Sequence, residues 1–117
     1  MAKNFGVNRS LVPAAMALGS CLLLAAQVGG RSIVTVEGLG SPAAPSALQR
    51  RFVEAGAAQC GFCTPGMLVS ATALLRRNPR PTRGEVCEAI AGNLCRCTGY
   101  EAIIDAILTA ASDERLS

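Results

Sequence analysis

Two short stretches constrain this chain more than anything else in it. They are Gln59-Cys60-Gly61-Phe62-Cys63-Thr64-Pro65-Gly66 and Asn93-Leu94-Cys95-Arg96-Cys97-Thr98-Gly99-Tyr100. Each holds two cysteines close together, then a threonine, then the start of an apolar pattern with helical spacing. Four thiolates brought together from two such corners can hold a metal centre. Composition fits that picture. Half of the 117 residues are hydrophobic but only 3% are aromatic, so the core is built from Ala, Leu, Val and Ile, which suit close-packed helices. Such a core is small, and a metal centre would add stability that it needs.

Several function classes fall away. The chain has no histidine, which removes zinc sites with mixed cysteine and histidine ligands, Rieske-type ligation and histidine-based triads. Its net charge of +3 is modest, and no basic run alternates with aromatics, so no nucleic-acid partner is expected. Clustering of the cysteines into a CxxC and a CxC favours metal over disulfides and implies a reducing compartment, the cytoplasm. Residues 11–26 are almost wholly small or apolar. With Lys3 and Arg9 ahead and Leu18-Gly19-Ser20-Cys21 inside, they imitate a lipoprotein signal, which would place the chain in the periplasm. Pro13 interrupts that run, Leu22-Leu23-Leu24 continues it past the cleavage point, and it is too short for a membrane span.

Downstream, Gly29-Gly30 reads as a turn and Ser32-Ile33-Val34-Thr35-Val36 as a β-branched strand. Gly38-Leu39-Gly40 ends that strand, and Ser41-Pro42-Ala43-Ala44-Pro45 is a linker. The domain boundary is placed there, between residues 1–40 and 41–117. Ser46 with Gln49 predicts a capping box, with Leu48, Phe52 and Val53 as the apolar stripe and Gly56 as the stop. Thr64 is the expected cap of the next helix, Pro65 its first residue, and Met67, Leu68, Ala71, Leu74 and Leu75 its inner face. Asn78-Pro79-Arg80-Pro81 ends it. Thr82 with Glu85 is a second capping box, followed by Val86, Ala89 and Ile90 and a stop at Gly92. Thr98 is the expected cap of a last helix with Ile103, Ile104, Ile107 and Leu108 inside. Helix, cysteine corner, helix then occurs twice, as in a diverged repeat. A pseudo-two-fold four-helix arrangement would set the corners face to face.

A 2Fe–2S cluster needs four thiolates, two for each iron. Both cysteine pairs stand just before predicted helix N-termini, where free amides and the macrodipole favour negative charge. Gly61, Gly66 and Gly99 let the backbone approach the sulfurs, and Arg96 adds positive charge that raises the potential. A structural zinc module mediating protein contact suits four thiolates equally well, so spacing alone leaves both metals open. A thioredoxin-like reading of Cys60 and Cys63 lacks the surrounding βαβ pattern. Cys87 is read as a small semi-buried hydrophobe. Arg50, Arg51, Arg76, Arg77, Arg80 and Arg83 form a solvated helix surface or a basic face for a partner.

The run from Gln59 to Met67, with Gly92 to Tyr100, resembles the small iron–sulfur subunit of molybdenum hydroxylases, the xanthine dehydrogenase, aldehyde oxidase and carbon monoxide dehydrogenase group. The likeness covers about residues 20–113. It implies a mainly α, four-helix, pseudo-two-fold domain with Cys60, Cys63, Cys95 and Cys97 as ligands of a 2Fe–2S cluster, and it favours iron–sulfur over zinc. Gln59 resembles the family's glutamine that contacts the pterin of the partner subunit; the alternative is an amide satisfying local backbone.

The resemblance further implies an electron relay without catalytic residues of its own. Electrons would pass from a molybdopterin-binding large subunit toward FAD or another acceptor, such as a cytochrome. The family's N-terminal domain is a plant-type ferredoxin (β-grasp) fold with a second 2Fe–2S cluster. Ser20 to Gln27 resembles the stretch around its fourth ligand, and Ile33 to Leu39 the strand that follows. Residues 1–19 are atypical and hold no cysteine. Residues 1–40 are therefore expected to be an incomplete ferredoxin-like remnant, with Cys21 a free thiol and the second cluster absent. Truncation, a misassigned start or a frameshift would account for this, and a non-functional copy is the corresponding alternative.

Overall fold

The computed structural model describes residues 24–113. Four helices carry the fold: α1 (Ala47–Glu54), α2 (Thr64–Arg77), α3 (Arg83–Ile90) and α4 (Glu101–Ser112), preceded by 3-10 turns at Ala25–Val28 and Val36–Gly38. The two capping boxes form as their sequences predict. Ser46 Oγ accepts from Gln49 N–H at 3.2 Å while Gln49 Oε1 accepts from Ser46 N–H at 2.8 Å. Thr82 and Glu85 exchange the same pair of bonds at 3.3 and 2.7 Å. Each box ties two otherwise unpaired donors at a helix start. At the far end of α1, Ala57 N–H reaches Phe52 C=O at 2.9 Å and Gly56 N–H reaches Val53 C=O at 3.1 Å. That is the Schellman pattern, with Gly56 at φ 62°.

The helices pack crosswise. α1 lies mainly on α4, and α2 mainly on α3. Exchanging the first helix–corner–helix unit for the second converts one of these contacts into the other, the relation expected of two equivalent halves. Phe52 from α1 enters the core beside Met67 of α2 and Ile103 and Ile107 of α4, each no more than 2% exposed. Leu48, Leu68, Ala71, Leu74, Val86 and Ile90 complete it. Arg51 bridges α1 to Asp113 at 3.3 Å, and Arg83 bridges α3 to Glu101 and Asp105 of α4 at 2.5 and 3.6 Å. Arg50 donates to Pro45 C=O. Half of the arginine set named above is therefore engaged within the chain. These exposed contacts orient helices and are weakened by solvent screening.

Some expectations are corrected. Val53 is 77% exposed. It follows Phe52 by one residue, about 100° around the helix, which turns it off the buried face. Ser32 to Val36 forms no strand: residues 31–35 have no regular structure and Val36 opens a 3-10 turn. β-Branched residues stabilise a strand only beside another strand, and none exists among the described residues. Val36 and Leu39 pack on the core instead, while Ile33 stays exposed. Of the other ferredoxin-like stretch, Ser20 to Leu23, Cys21 included, lies outside the described part, as does the apolar run up to residue 23, while Ala25 to Gln27 fall in the first 3-10 turn. Among the described residues, no helix is long and apolar enough to cross a membrane.

Phe52 is the one aromatic ring in the buried cluster. Phe52→Ala is expected to cost about 3–5 kcal/mol, whereas Val53→Ala changes stability by less than about 0.5 kcal/mol. Urea unfolding of both variants measures the contrast.

Candidate metal centre

The first corner runs from the end of α1 into α2. Cys63 is the N-cap residue, in helical conformation and without a capping side chain, and its C=O accepts from Met67 N–H. Thr64, the expected cap, sits inside the first turn, with Pro65 after it. From there its hydroxyl cannot reach the amides two and three residues on, as an extended N-cap residue does. Its oxygen is buried without a hydrogen-bond partner.

The second corner is closed by side chains. Tyr100 is the N-cap of α4 at φ 70°, so Thr98 does not cap this helix either. Thr98 Oγ1 accepts from Tyr100 N–H at 3.1 Å and lies 3.1 Å from Cys95 Sγ. Thr98 N–H points at the same sulfur at 3.4 Å. Tyr100 Oη accepts from Cys95 N–H at 2.9 Å.

The thiols named by the sequence form two pairs that run crosswise between the corners. Cys60 interacts with Cys97, and Cys63 with Cys95. The first cysteine of each corner thus faces the second of the other. Cys63 and Cys95 are half-buried against the core, while Cys60 and Cys97 are exposed. Protonation follows this pairing. The Phe62 amide, then the Cys97 thiol, hold the Cys60 thiol below its ordinary value. The Thr98 hydroxyl, the Thr98 amide and the Cys97 amide bring Cys95 down to about 7. Burial, then Cys95, push Cys63 up, and the Cys60 thiol pushes Cys97 up. Each pair therefore has one sulfur that accepts and one that donates.

Four soft sulfurs, two of them already surrounded by N–H donors, fit an iron–sulfur group. A single tetrahedral ion needs its ligands about one point. Among the described residues, no group of three or more cysteine or carboxylate side chains is arranged to hold one ion.

One clamp sets the corners against each other. Asn93 Nδ2 donates to Ser70 Oγ at 2.8 Å, tying the lead-in of the second corner to the helix that begins at the first. Ser70 is the buried polar residue of the core, 8% exposed. A Cβ on Gly66 would stand 2.3 Å from Asn93 Oδ1. Gly66 is thus small for the sake of Asn93 rather than to approach a sulfur. Gly61 and Gly99 do lie within the corners with left-handed φ, 83° and 65°.

Around the outer sulfurs the surface is open. Phe62 is 92% and Leu94 83% exposed. Arg96 is exposed between its two cysteines. Gln59 is exposed next to Cys60. Cys87 is exposed on α3, not semi-buried, and is no part of the four-thiol group. Thr98, Tyr100 and Asn93 are the site residues that sequence pattern missed. The available signal was a threonine three residues after a cysteine, followed by Gly-Tyr.

Comparison with known proteins agrees. Residues 35–108 match the model of the [2Fe-2S] binding domain. The chain is 61% identical over 94 residues to the nicotine 6-hydroxylase small subunit of Paenarthrobacter nicotinovorans, covering 80% of this chain and 56% of that one. It is 54% identical over 81 residues to the nicotinate dehydrogenase small FeS subunit of Eubacterium barkeri, covering 69% and 52%. Among solved structures, quinoline 2-oxidoreductase from Pseudomonas putida 86 superimposes with a TM-score of 0.77 at 52% identity, covering 85% of this chain and 62% of that one. The chain belongs to the [2Fe-2S] binding domain family. It spans about half the length of the curated relatives it matches.

The clamp makes a prediction. Gly66→Ala displaces the Asn93 amide and costs about 1–3 kcal/mol. Asn93→Ala is destabilising alone but costs less in the Gly66→Ala background, and a double-mutant cycle by urea unfolding measures that coupling.

Proposed function

We propose that this chain holds one 2Fe–2S cluster on Cys60, Cys63, Cys95 and Cys97 and relays electrons from a molybdopterin-containing partner toward FAD or another acceptor, a cytochrome included. The crosswise pairing of four thiols carries this reading. On this reading Cys60 and Cys97 share one iron and Cys63 and Cys95 the other. When bound, the cluster supplies a one-electron carrier, and the chain does the rest. The Phe62, Cys97 and Thr98 amides direct positive dipole ends at the sulfurs. The core packs behind Cys63 and Cys95 and keeps water from that side.

The partner side is the exposed rim. Phe62, between Cys60 and Cys63, and Leu94, next to Cys95, are exposed at the two corners, and bulky apolar side chains rimming a functional site mark a protein contact. Gln59, exposed beside Cys60, is proposed to meet the pterin across that contact. The three relatives above are named for nicotine, nicotinate and quinoline. We extend that class, nitrogen-containing aromatic rings, to the substrate of the complex. We place the domain boundary near residue 40 and the chain in the cytoplasm, where thiolates stay reduced.

Anaerobic purification of the full chain tests the reading. About two irons and two sulfides per chain are expected, with visible absorption and an EPR signal on reduction. Stoichiometric zinc with no iron would overturn it. Cys95→Ser is expected to lower iron content sharply while Cys87→Ser leaves it unchanged. Chelating the metal is expected to lower the melting temperature, because a small core then loses its cross-link.

A further inference from the structure

We propose that the Thr98 hydroxyl donates a hydrogen bond to the Cys95 sulfur and thereby raises the reduction potential of the cluster, an inference that rests on the 2Fe–2S reading above. The oxygen and sulfur are 3.1 Å apart. Between a free thiol and a hydroxyl either group could donate. A metal-bound sulfur has lost its proton, so only the hydroxyl can. The hydroxyl has one hydrogen and two lone pairs. One lone pair takes the Tyr100 N–H at 3.1 Å, which leaves the hydrogen free to point at sulfur.

The arrangement is held from the other side as well. Tyr100 takes a left-handed φ of 70°, unusual for a residue with a side chain. Its Oη accepts from Cys95 N–H at 2.9 Å. The three contacts close a ring: Cys95 N–H to Tyr100 Oη, Tyr100 N–H to Thr98 Oγ1, Thr98 O–H to Cys95 Sγ. Thr98 cannot rotate its hydroxyl away without breaking the ring.

The other corner lacks this device. Thr64 follows Cys63 as Thr98 follows Cys97, but CxxC is one residue longer than CxC. Thr64 therefore lies four residues after Cys60, where Thr98 lies three after Cys95. Its oxygen is buried with no partner. The hydroxyl donor acts at one sulfur of the four.

Reduction adds a negative charge to a group that is already negative. A donor aimed at a ligating sulfur favours the reduced form more than the oxidised one, and potentials respond to such bonds. The hydroxyl keeps its proton throughout, and no bond to Thr98 forms or breaks. A residue that merely shaped the turn would change stability and leave the potential alone.

The test uses the full chain with iron quantified first. A low-potential chemical reductant is titrated in and the EPR signal followed. Thr98→Val, which keeps the shape and removes the hydroxyl, is expected to shift the reduction equilibrium about tenfold toward the oxidised form, or ~59 mV for a one-electron couple. Thr98→Ser is expected to restore most of that shift. Unchanged potential in a cluster-loaded Thr98→Val chain overturns the proposal and leaves the functional reading standing; a wild-type chain without iron overturns both. If the valine variant does not retain iron, the wild type decides. After brief transfer into D2O, the reduced cluster is expected to couple to a fast-exchanging deuteron, and its absence counts against the hydroxyl donor.

Discussion

Four sulfurs in one small volume repel one another as soon as they lose their protons. Something outside the sulfurs must therefore hold them together, and here it is the packing of α1 on α4 and of α2 on α3. Because the pairing is crosswise, neither half can move without pulling one corner from the other. The Phe52 contact with α4 and the Asn93 bond to Ser70 act on the same separation, one through apolar burial and the other through a part-buried hydrogen bond. The core and the site are thus one mechanical unit.

The site is not symmetric, although its halves are built alike. Cys63 and Cys95 lean on the core, while Cys60 and Cys97 face outward. Charge on the inner pair is balanced by fixed donors: the Thr98 hydroxyl and amide and the Cys97 amide all reach Cys95. On the outer pair the Phe62 amide reaches Cys60. Electron carriers need such a division, since one side must be insulated and the other accessible. Phe62 and Leu94, one in each corner, are exposed.

Much of the fold was legible in the residues. Ser46 with Gln49 and Thr82 with Glu85 form the boxes their spacing predicts, because an N-cap bond is local and spans three residues. The inner faces of α2 and α4 follow helical periodicity. Reading failed where a neighbour distant in sequence decides. Ser32 to Val36 has the composition of a strand without a partner strand among the described residues. Thr64 and Thr98 look like caps, yet a threonine caps only from an extended backbone just outside the helix, and neither occupies that position. Cys87 is apolar enough for a core position, but it lies exposed on α3.

What the sequence determined by itself is local: two cysteine corners, a helix after each, and enough small apolar residues to pack four helices without large rings. Those features depend on spacings of a few residues, and spacing is written in the chain. Tertiary structure alone decided which sulfur faces which, which pair is buried, and that a threonine hydroxyl is turned from a helix end onto Cys95. Each of these depends on the angle and depth at which the two halves meet. Burial and steric fit between residues far apart set that geometry, and no local pattern encodes it.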